Sequence, residues 1–210
     1  MARGFFIALE GGEGAGKSTQ ARRLADHLRA AGREVVLTRE PGGSPGAEDI
    51  RKLLVTGEAA RWSPLTEALL MYAAREDHLN TTIRPALARG AVVISDRFAD
   101  SSEAYQGAGG GVALETLNAL RSIVVGSDEP DLTLIFDLPV ATGLARAAAR
   151  GGDARFESKG AAYHQRLRDA YLAIAARRKD TATLIDAAQD EDAVAEAIRI
   201  RVDAVMARGA

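Results

Sequence analysis

The stretch that decides the fold is Gly11-Gly12-Glu13-Gly14-Ala15-Gly16-Lys17-Ser18, which fits the phosphate-binding loop pattern G-x-x-x-x-G-K-[ST]. It follows a short apolar run and precedes a helical pattern, as this motif requires. Its glycines let backbone N–H groups turn toward an anion, and the helix N-terminus adds a positive dipole. Lys17 would contact the β- and γ-phosphates, and the Ser18 hydroxyl would bind Mg²⁺. The loop predicts a site for a Mg²⁺-bound nucleoside triphosphate, formed by Gly11, Gly12, Glu13, Gly14, Ala15, Gly16, Lys17, Ser18 and Thr19.

Working outward from this loop, apolar runs and helical patterns alternate along the whole chain. Five short runs rich in β-branched residues predict buried strands at Phe5–Leu9, Val35–Thr38, Ala91–Ser95, Leu132–Leu138 and Ala182–Ile185. Apolar residues at three and four spacing predict helices at Thr19–Ala31, Thr66–Leu79, Leu114–Val125, Val140–Arg150, Tyr163–Arg178 and Ala193–Met206. We therefore expect one α/β domain over residues 1–210, a three-layer P-loop fold whose five-stranded parallel sheet is covered by helices on both faces. The glycine-rich stretches Gly107–Gly111 and Gly151-Gly152 predict mobile loops.

Composition excludes several classes of protein. The 210-residue chain has a formal net charge of −2 and no cysteine, so neither a nucleic-acid-binding basic field nor a thiolate metal site is expected. No apolar run reaches the ~18 residues of a membrane helix. The start Met1-Ala2-Arg3-Gly4 leads straight into a strand-like run without a signal-peptide pattern. These features predict a cytoplasmic protein without membrane or nucleic-acid partners.

A phosphate-binding loop alone does not separate kinases from GTPase switches or motor ATPases. The chain contains no N-K-x-D tetrapeptide for reading guanine, and it is short for a motor. A kinase needs a second basic pocket for its anionic acceptor, and four segments supply the residues for one. They are Thr38–Gly43, Met71–Arg75, Asp96–Phe98 and Ser101–Gly107. The first and third follow predicted strands, where ligands bind in open α/β sheets.

In these segments the chain resembles bacterial thymidylate kinases. The loop with Glu13, the run T-R-E-P-G-G from Thr38, the A-A-R that ends at Arg75, and D-R…A-Y-Q-G from Asp96 follow the family's order and spacing. The likeness covers about three quarters of the chain. It implies transfer of the γ-phosphoryl group of ATP to thymidine monophosphate (dTMP), with Mg²⁺ as cofactor, in a homodimer.

The resemblance also implies roles for single residues around the acceptor. Arg97 and Arg39 would hold the acceptor phosphate, and Arg75 would reach from its helix toward the base and phosphate. Ser102 and Gln106 would lie along the thymine edge.

Further roles concern the sugar and the metal. Tyr105 would pack under the sugar, where a ribose 2′-OH would collide, and Glu13 would meet the 3′-OH end, directly or through the metal. Asp96 would support Mg²⁺ through water, and Pro41 would follow a cis peptide bond. The implied acceptor-binding residues are Glu13, Arg39, Pro41, Met71, Arg75, Arg97, Ser102, Tyr105 and Gln106, and the implied metal residues are Ser18, Glu13 and Asp96. Met71 departs from the family, which usually has a phenylalanine there to stack on thymine.

A lid is predicted at residues 140–160, with Arg146, Arg150 and Arg155 as its cations. Arg146 and Arg150 are four residues apart and share one helix face, so they could also form a solvated basic face. The loop has Gly14 and Ala15 where one thymidylate kinase subgroup has a basic residue, so the chain resembles the subgroup with lid arginines. The predicted catalytic residues are Lys17, Arg146, Arg150, Arg155, Glu13 and Arg97.

Single residues also have simpler explanations. Arg75 could be solvated, Tyr105 could line a core edge, and Glu40 suits an ion pair with an arginine better than catalysis. Ser101 suits a helix cap. The histidines lack metal-ligand spacing and are assigned no chemistry: His27, His78 and His164.

Two alternatives to a dTMP kinase remain open from the sequence. One is another nucleoside monophosphate kinase or a deoxynucleoside kinase. The other is a non-catalytic, nucleotide-dependent switch, against which the arginine-bearing segments argue.

Overall fold

The protein is described here by a computed structural model, which covers residues 3–57, 61–150 and 159–207. A five-stranded sheet with the order β2-β3-β1-β4-β5 forms its centre, and every neighbouring pair is parallel. The strands are β1 Phe6–Gly11, β2 Val35–Arg39, β3 Val92–Asp96, β4 Leu132–Asp137 and β5 Ala182–Asp186. The predicted fold class and all five strands are confirmed.

Nine α-helices lie in the described ranges. They are α1 Lys17–Ala30, α2 Pro45–Val55, α3 Pro64–His78, α4 Arg84–Ala88, α5 Ala99–Ser102, α6 Leu114–Val124, α7 Val140–Arg150, α8 Gly160–Arg177 and α9 Glu191–Met206. Two π-helical segments, Leu79–Ile83 and Glu103–Gly109, continue α3 and α5. The six predicted helices are confirmed with ends shifted by a turn or less, whereas α2, α4 and α5 were not predicted. None of the helices in the described ranges is long and apolar enough to cross a membrane.

Both faces of the sheet are buried along the three central strands, β1, β3 and β4, which explains their continuous apolar runs. Ile7 and Leu9 of β1 pack in a cluster with Leu24 of α1 and Ile198 of α9. Phe6, one residue along, packs in a second cluster with residues of α4 and the first π-helical segment. Successive strand residues point to opposite faces, so a strand covered on both sides must be apolar throughout.

The predicted mobile loop at Gly107–Gly111 is wrong for its first three residues. Gly107–Gly109 belong to the second π-helical segment. A Cβ atom on Gly109 would lie 2.6 Å from the Tyr163 ring and 2.9 Å from the Leu167 side chain. Glycine is needed here because α8 packs directly against the backbone. Gly151-Gly152 lie outside the described residues.

The strand order brings the sequence motifs together at one edge of the sheet. β3 lies between β2 and β1, with Asp96 in register with both Arg39 and Leu9. The segments that follow these three strands are the predicted phosphate loop, the Thr38–Gly43 run and Asp96-Arg97. Parallel strands end at the same edge, so the tertiary structure places donor and acceptor segments side by side.

Candidate active site

The loop after β1 has the geometry of a phosphate cradle. Gly14 has φ +70°, and a Cβ on it would lie 2.0 Å from the Gly143 carbonyl oxygen of α7. The Lys17 Nζ donates to the carbonyl oxygens of Gly11, at 3.0 Å, and Gly12, at 2.7 Å. Burial, together with the nearby Arg97 charge, lowers the pKa of Lys17 to about 8. Lys17 is thus a buried amine held by carbonyl oxygens of its own loop.

Ser18 and Asp96 form the oxygen-rich part of the site. The Ser18 hydroxyl donates to an Asp96 carboxylate oxygen at the end of β3. Among the described residues, no group of three or more His, Cys, Asp or Glu could enclose a metal ion. Mg²⁺ in kinases is usually held by one or two protein oxygens together with substrate phosphates and water. The pair of Ser18 and Asp96 fits that mode of binding.

Arg97 joins the phosphate loop to the acceptor segments. Its backbone has φ +74°, the left-handed region that non-glycine residues rarely adopt and that is often found at functional sites. One nitrogen, Nη1, donates to Gly11 O at 3.0 Å; the other, Nη2, donates to Glu13 Oε1 and to the Tyr105 hydroxyl, both at 2.9 Å. Arg97 therefore joins Gly11 and Glu13 of the phosphate loop to Tyr105 of the acceptor segments.

Glu13 is held as a carboxylate by this arginine. Burial would raise the pKa of Glu13, but the charges of Arg97 and Lys17 and a hydrogen bond from Tyr105 lower it to about 2. The Tyr105 hydroxyl donates to Glu13 Oε1 at 2.7 Å. Tyr105 is thus a polar anchor as well as a buried ring. The expected contact of Glu13 with the metal stays a prediction.

Arg75 is buried, so the solvated alternative is wrong. Its Nε donates to Glu40 Oε2 at 2.7 Å, its Nη1 to Ser102 Oγ at 3.2 Å and its Nη2 to Phe98 O at 3.1 Å. Only 2% of the Arg75 side chain is exposed, and 5% of Glu40. The interpretation of Glu40 as the partner of an arginine is confirmed.

The other predicted acceptor residues surround this buried pair. The Glu40–Pro41 bond is cis, as expected. Arg39 is exposed and pairs with Glu48 at 3.1 Å, and Met71 lies half-buried on α3. Gln106 donates to Glu67 Oε1 at 3.0 Å. Arg39 and Pro41 flank Glu40 in the chain, Met71 lies four residues before Arg75, and Gln106 four residues after Ser102. Their roles toward dTMP remain proposals.

Glu10 is a site residue that the sequence analysis missed. Its Oε1 accepts from the backbone N–H groups of Phe98, at 2.8 Å, and Ser101, at 3.1 Å. Its Oε2 accepts from the hydroxyls of Ser101, at 2.6 Å, and Tyr171, at 3.1 Å. Burial and the neighbouring Asp100 charge raise the pKa of Glu10 to about 7. A charged residue at the end of a buried strand, directly before the loop, was the signal that could have found it.

The assignment of Ser101 as a helix cap is wrong, because its side chain bonds to Glu10. Ser101 lies inside α5, and its hydroxyl donates to Glu10 rather than capping a helix end. Glu10 thereby ties the start of α5 to β1 and fixes the turn that carries Arg97.

Of the three lid arginines, the structure describes the side chain of Arg146. Its Nη1 donates to Ala187 O, in the loop after β5, at 3.2 Å. Arg155 and the side chain of Arg150 lie outside the described residues. Arg146 thus joins α7 to the loop after β5, and its catalytic role remains a proposal.

Comparison with known proteins identifies the family. The family model described as thymidylate kinase matches residues 9–198. The chain is 65% identical over 198 residues to the thymidylate kinase of Caulobacter vibrioides, covering 94% of this chain and 95% of that one. It is 58% identical to the thymidylate kinase of Pseudomonas fluorescens over 89% of each chain. This chain belongs to the thymidylate kinase family.

The thymidylate kinase relationship extends to solved structures. The crystal structure of thymidylate kinase from Ehrlichia chaffeensis superposes with a TM-score of 0.78 at 32% identity, covering 96% of this chain and 99% of that one. Residues 9–198 of this chain, which the thymidylate kinase family model matches, include the phosphate loop, Arg97 and the acceptor segments. The resemblance drawn from short motifs is therefore confirmed over nearly the whole chain.

Proposed function

We propose that this chain transfers the γ-phosphoryl group of ATP to dTMP, giving ADP and thymidine diphosphate for dTTP synthesis. The observation that carries the proposal is Arg97, whose guanidinium bonds to Gly11 and Glu13 of the phosphate loop and to Tyr105 of the acceptor segments. An arginine fixed between the two binding regions suits transfer between two phosphates, because such reactions depend on positioning and charge neutralisation.

In this reaction an oxygen of the dTMP phosphate attacks the γ-phosphorus, and the bond from that phosphorus to the β–γ bridging oxygen breaks. The second pKa of a phosphate monoester is near 6, so the acceptor is largely dianionic at pH 7 and needs no general base. Lys17 would neutralise charge on the β- and γ-phosphates, and Arg97 and Arg39 would orient the attacking phosphate. Glu13, held ionised by Arg97, would bind the 3′-OH end of the sugar.

Mg²⁺ would be held by Ser18, with Asp96 acting through water, and would neutralise charge on the donor phosphates. Arg146, Arg150 and Arg155 in the lid, residues 140–160, would add positive charge as the site closes. We further propose one domain for the whole chain and a homodimer. The exposed apolar side chains of Leu65 and Leu69, four residues apart on α3, support an interface there. A cytoplasmic location stays a prediction.

The deciding experiment is a panel of acceptors assayed with excess ATP and Mg²⁺. We expect dTMP to be the best substrate, ahead of its deoxyuridine analogue by ~1–3 kcal/mol in transition-state binding, the value of one methyl group in an apolar site. Ribonucleotides should react more weakly still, because we expect Tyr105 to pack under the sugar, where a 2′-OH would collide with it. Uridine or cytidine monophosphate as best substrate would refute the assignment. Slow hydrolysis of ATP without phosphorylation of any acceptor would favour the alternative of a non-catalytic, nucleotide-dependent switch.

Met71 tests the thymine side of the pocket. Replacing it with phenylalanine should lower the KM for dTMP a few-fold, about 0.5–1 kcal/mol. An aromatic ring stacks on the base and loses less side-chain entropy than methionine on ordering. The kcat should stay nearly constant, because the base is bound alike in the ground and transition states. Saturation curves for dTMP at fixed excess ATP measure both constants. A rise in KM would show that Met71 packs in the core instead of facing the base.

A further inference from the structure

His78 belongs to a series of hydrogen-bonded side chains that runs from Thr38 of β2 through His78 and Glu40 to Arg75. It is the last residue of α3 and its side chain is 0% exposed. Its Nδ1 lies 3.0 Å from Glu40 Oε1, and its Nε2 lies 2.7 Å from Thr38 Oγ1. A neutral imidazole with its proton on Nδ1 satisfies both contacts, donating to the Glu40 carboxylate and accepting from the Thr38 hydroxyl.

This arrangement holds both oxygens of the Glu40 carboxylate. Oε1 faces His78, and Oε2 accepts from Arg75 Nε at 2.7 Å. With both oxygens engaged, the carboxylate cannot rotate away from the arginine. Arg75 and Glu40 thus form a buried pair of opposite charges, and His78 adds a hydrogen-bond partner to it.

Arg75, held in this orientation by Glu40, also bonds to two residues of the other acceptor segments, Ser102 and Phe98. Three of its five N–H groups bond to Glu40, Ser102 and Phe98. The remaining two lie on its terminal nitrogens. An arginine clamped by its Nε presents those terminal N–H groups in a set direction, which a planar guanidinium uses to bind an anion or a base edge.

The segment after β2 packs on the His78 ring at Gly43, but it has further attachments to α3 and the π-helical segment that follows it. Asp77 accepts from the Ser44 hydroxyl at 2.5 Å and from the Ala47 backbone N–H at 3.1 Å. Thr82 Oγ1 donates to Gly43 O at 2.7 Å. Loss of the imidazole should therefore release Glu40 and Arg75 while the rest of the segment stays attached to the end of α3.

We propose that His78 is a positioning residue for acceptor binding, acting through Glu40 on Arg75. The inference rests on the proposed function, since it assigns the clamped arginine to the dTMP pocket. The histidine touches neither substrate. It restricts the arginine before the acceptor arrives, which lowers the entropy lost on binding.

The test measures KM for dTMP and for ATP, and kcat, in three variants. His78→Leu removes both polar contacts and should raise the dTMP KM about ten-fold, or ~1.4 kcal/mol, with ATP KM and kcat within about two-fold. His78→Asn keeps a donor at the Nδ1 position and should restore most of the dTMP affinity. Thr38→Val, which is nearly isosteric, should raise the dTMP KM by a smaller factor, because it leaves Nε2 without its donor.

The control is Glu76→Gln, on the same helix and outside the acceptor segments. It removes the charge of a partly exposed carboxylate that lies 3.6 Å from Arg84 Nη1, and it leaves the contacts of His78, Glu40 and Arg75 in place. Both KM values should stay at the wild-type level. A general weakening of α3 would instead move the control and the His78 variants together, and that result would overturn the proposal.

Other outcomes also decide whether His78 is a positioning residue. A folded His78→Leu variant with unchanged dTMP KM, or a His78→Asn variant as impaired as His78→Leu, refutes the positioning role. If His78→Leu does not fold, the contrast between His78→Asn and Thr38→Val decides: wild-type dTMP KM in Thr38→Val refutes the inference. The wild-type enzyme in the same assay separates the proposed function from the proposed role of His78. If the wild-type enzyme does not phosphorylate dTMP, the proposed function is refuted whatever the variants do.

Discussion

Replacing Lys17 with alanine should lower kcat by about 10²–10³-fold, the usual cost of removing one group that stabilises transition-state charge. The fold should survive, because the Lys17 ammonium bonds to carbonyl oxygens of its own loop and not to the apolar core. Lys52→Ala is the matched control, since Lys52 is an exposed lysine on α2 paired with Asp49. Steady-state kinetics with dTMP and a circular-dichroism melt check both statements. A folded Lys17→Ala enzyme with near-normal turnover would refute the phosphate-loop assignment.

The same charge can be removed by pH in the unmodified protein. The pKa of Lys17 is lowered from 10.5 to about 8, mainly by burial. Below pH 8 the ammonium is charged and binds the donor; above pH 8 the charge is lost. The phosphates favour the charged form, so binding above pH 8 takes up a proton. Affinity for a non-hydrolysable ATP analogue should fall about ten-fold between pH 7 and pH 9. Calorimetry that shows no such fall would exclude this role for the Lys17 charge.

Replacing Arg97 with alanine should lower kcat/KM for dTMP by about 10²–10³-fold, within the range for losing one partner of a buried charge pair. Acceptor KM should rise and kcat should fall together, because Arg97 contacts both the phosphate loop and the acceptor segments. Glu13 would also lose its main counter-charge, so the variant should melt at a lower temperature. The double variant Arg97→Ala with Glu13→Gln should recover stability but not activity.

The backbone of Arg97 provides a second control. Its φ of +74° is strained for alanine but not for glycine. Arg97→Gly should therefore be more stable than Arg97→Ala and equally inactive. If the glycine variant recovered acceptor binding, the loss would come from the backbone and not from the guanidinium. A folded Arg97→Ala enzyme with kcat/KM for dTMP within ten-fold of wild type would refute its role.

Local patterns were sufficient for the architecture. The five strands were predicted because a sheet covered on both faces requires continuous apolar runs, as in β1 and β4. The phosphate loop was predicted because its glycines and Lys17 are contiguous in sequence. The helices α4 and α5 were missed because each spans about one turn and carries too little periodicity. Gly107–Gly109 was misjudged because glycine marks either a loop or a close packing contact, and only the position of α8 distinguishes them.

The sequence by itself determined the parallel α/β fold, the donor loop and the residue types of the acceptor segments, because each depends on neighbours within a few positions. Only the tertiary structure decided that Arg75 is buried on Glu40, that Glu10 anchors the turn of Arg97, and that His78 completes the chain from Thr38. In each case the partners lie far apart in sequence: Glu10 and Phe98 are separated by 88 residues, and Glu40 and Arg75 by 35. A buried polar group must find a partner wherever the fold places one. That partner is set by which strands are adjacent in the sheet, and no local pattern encodes it.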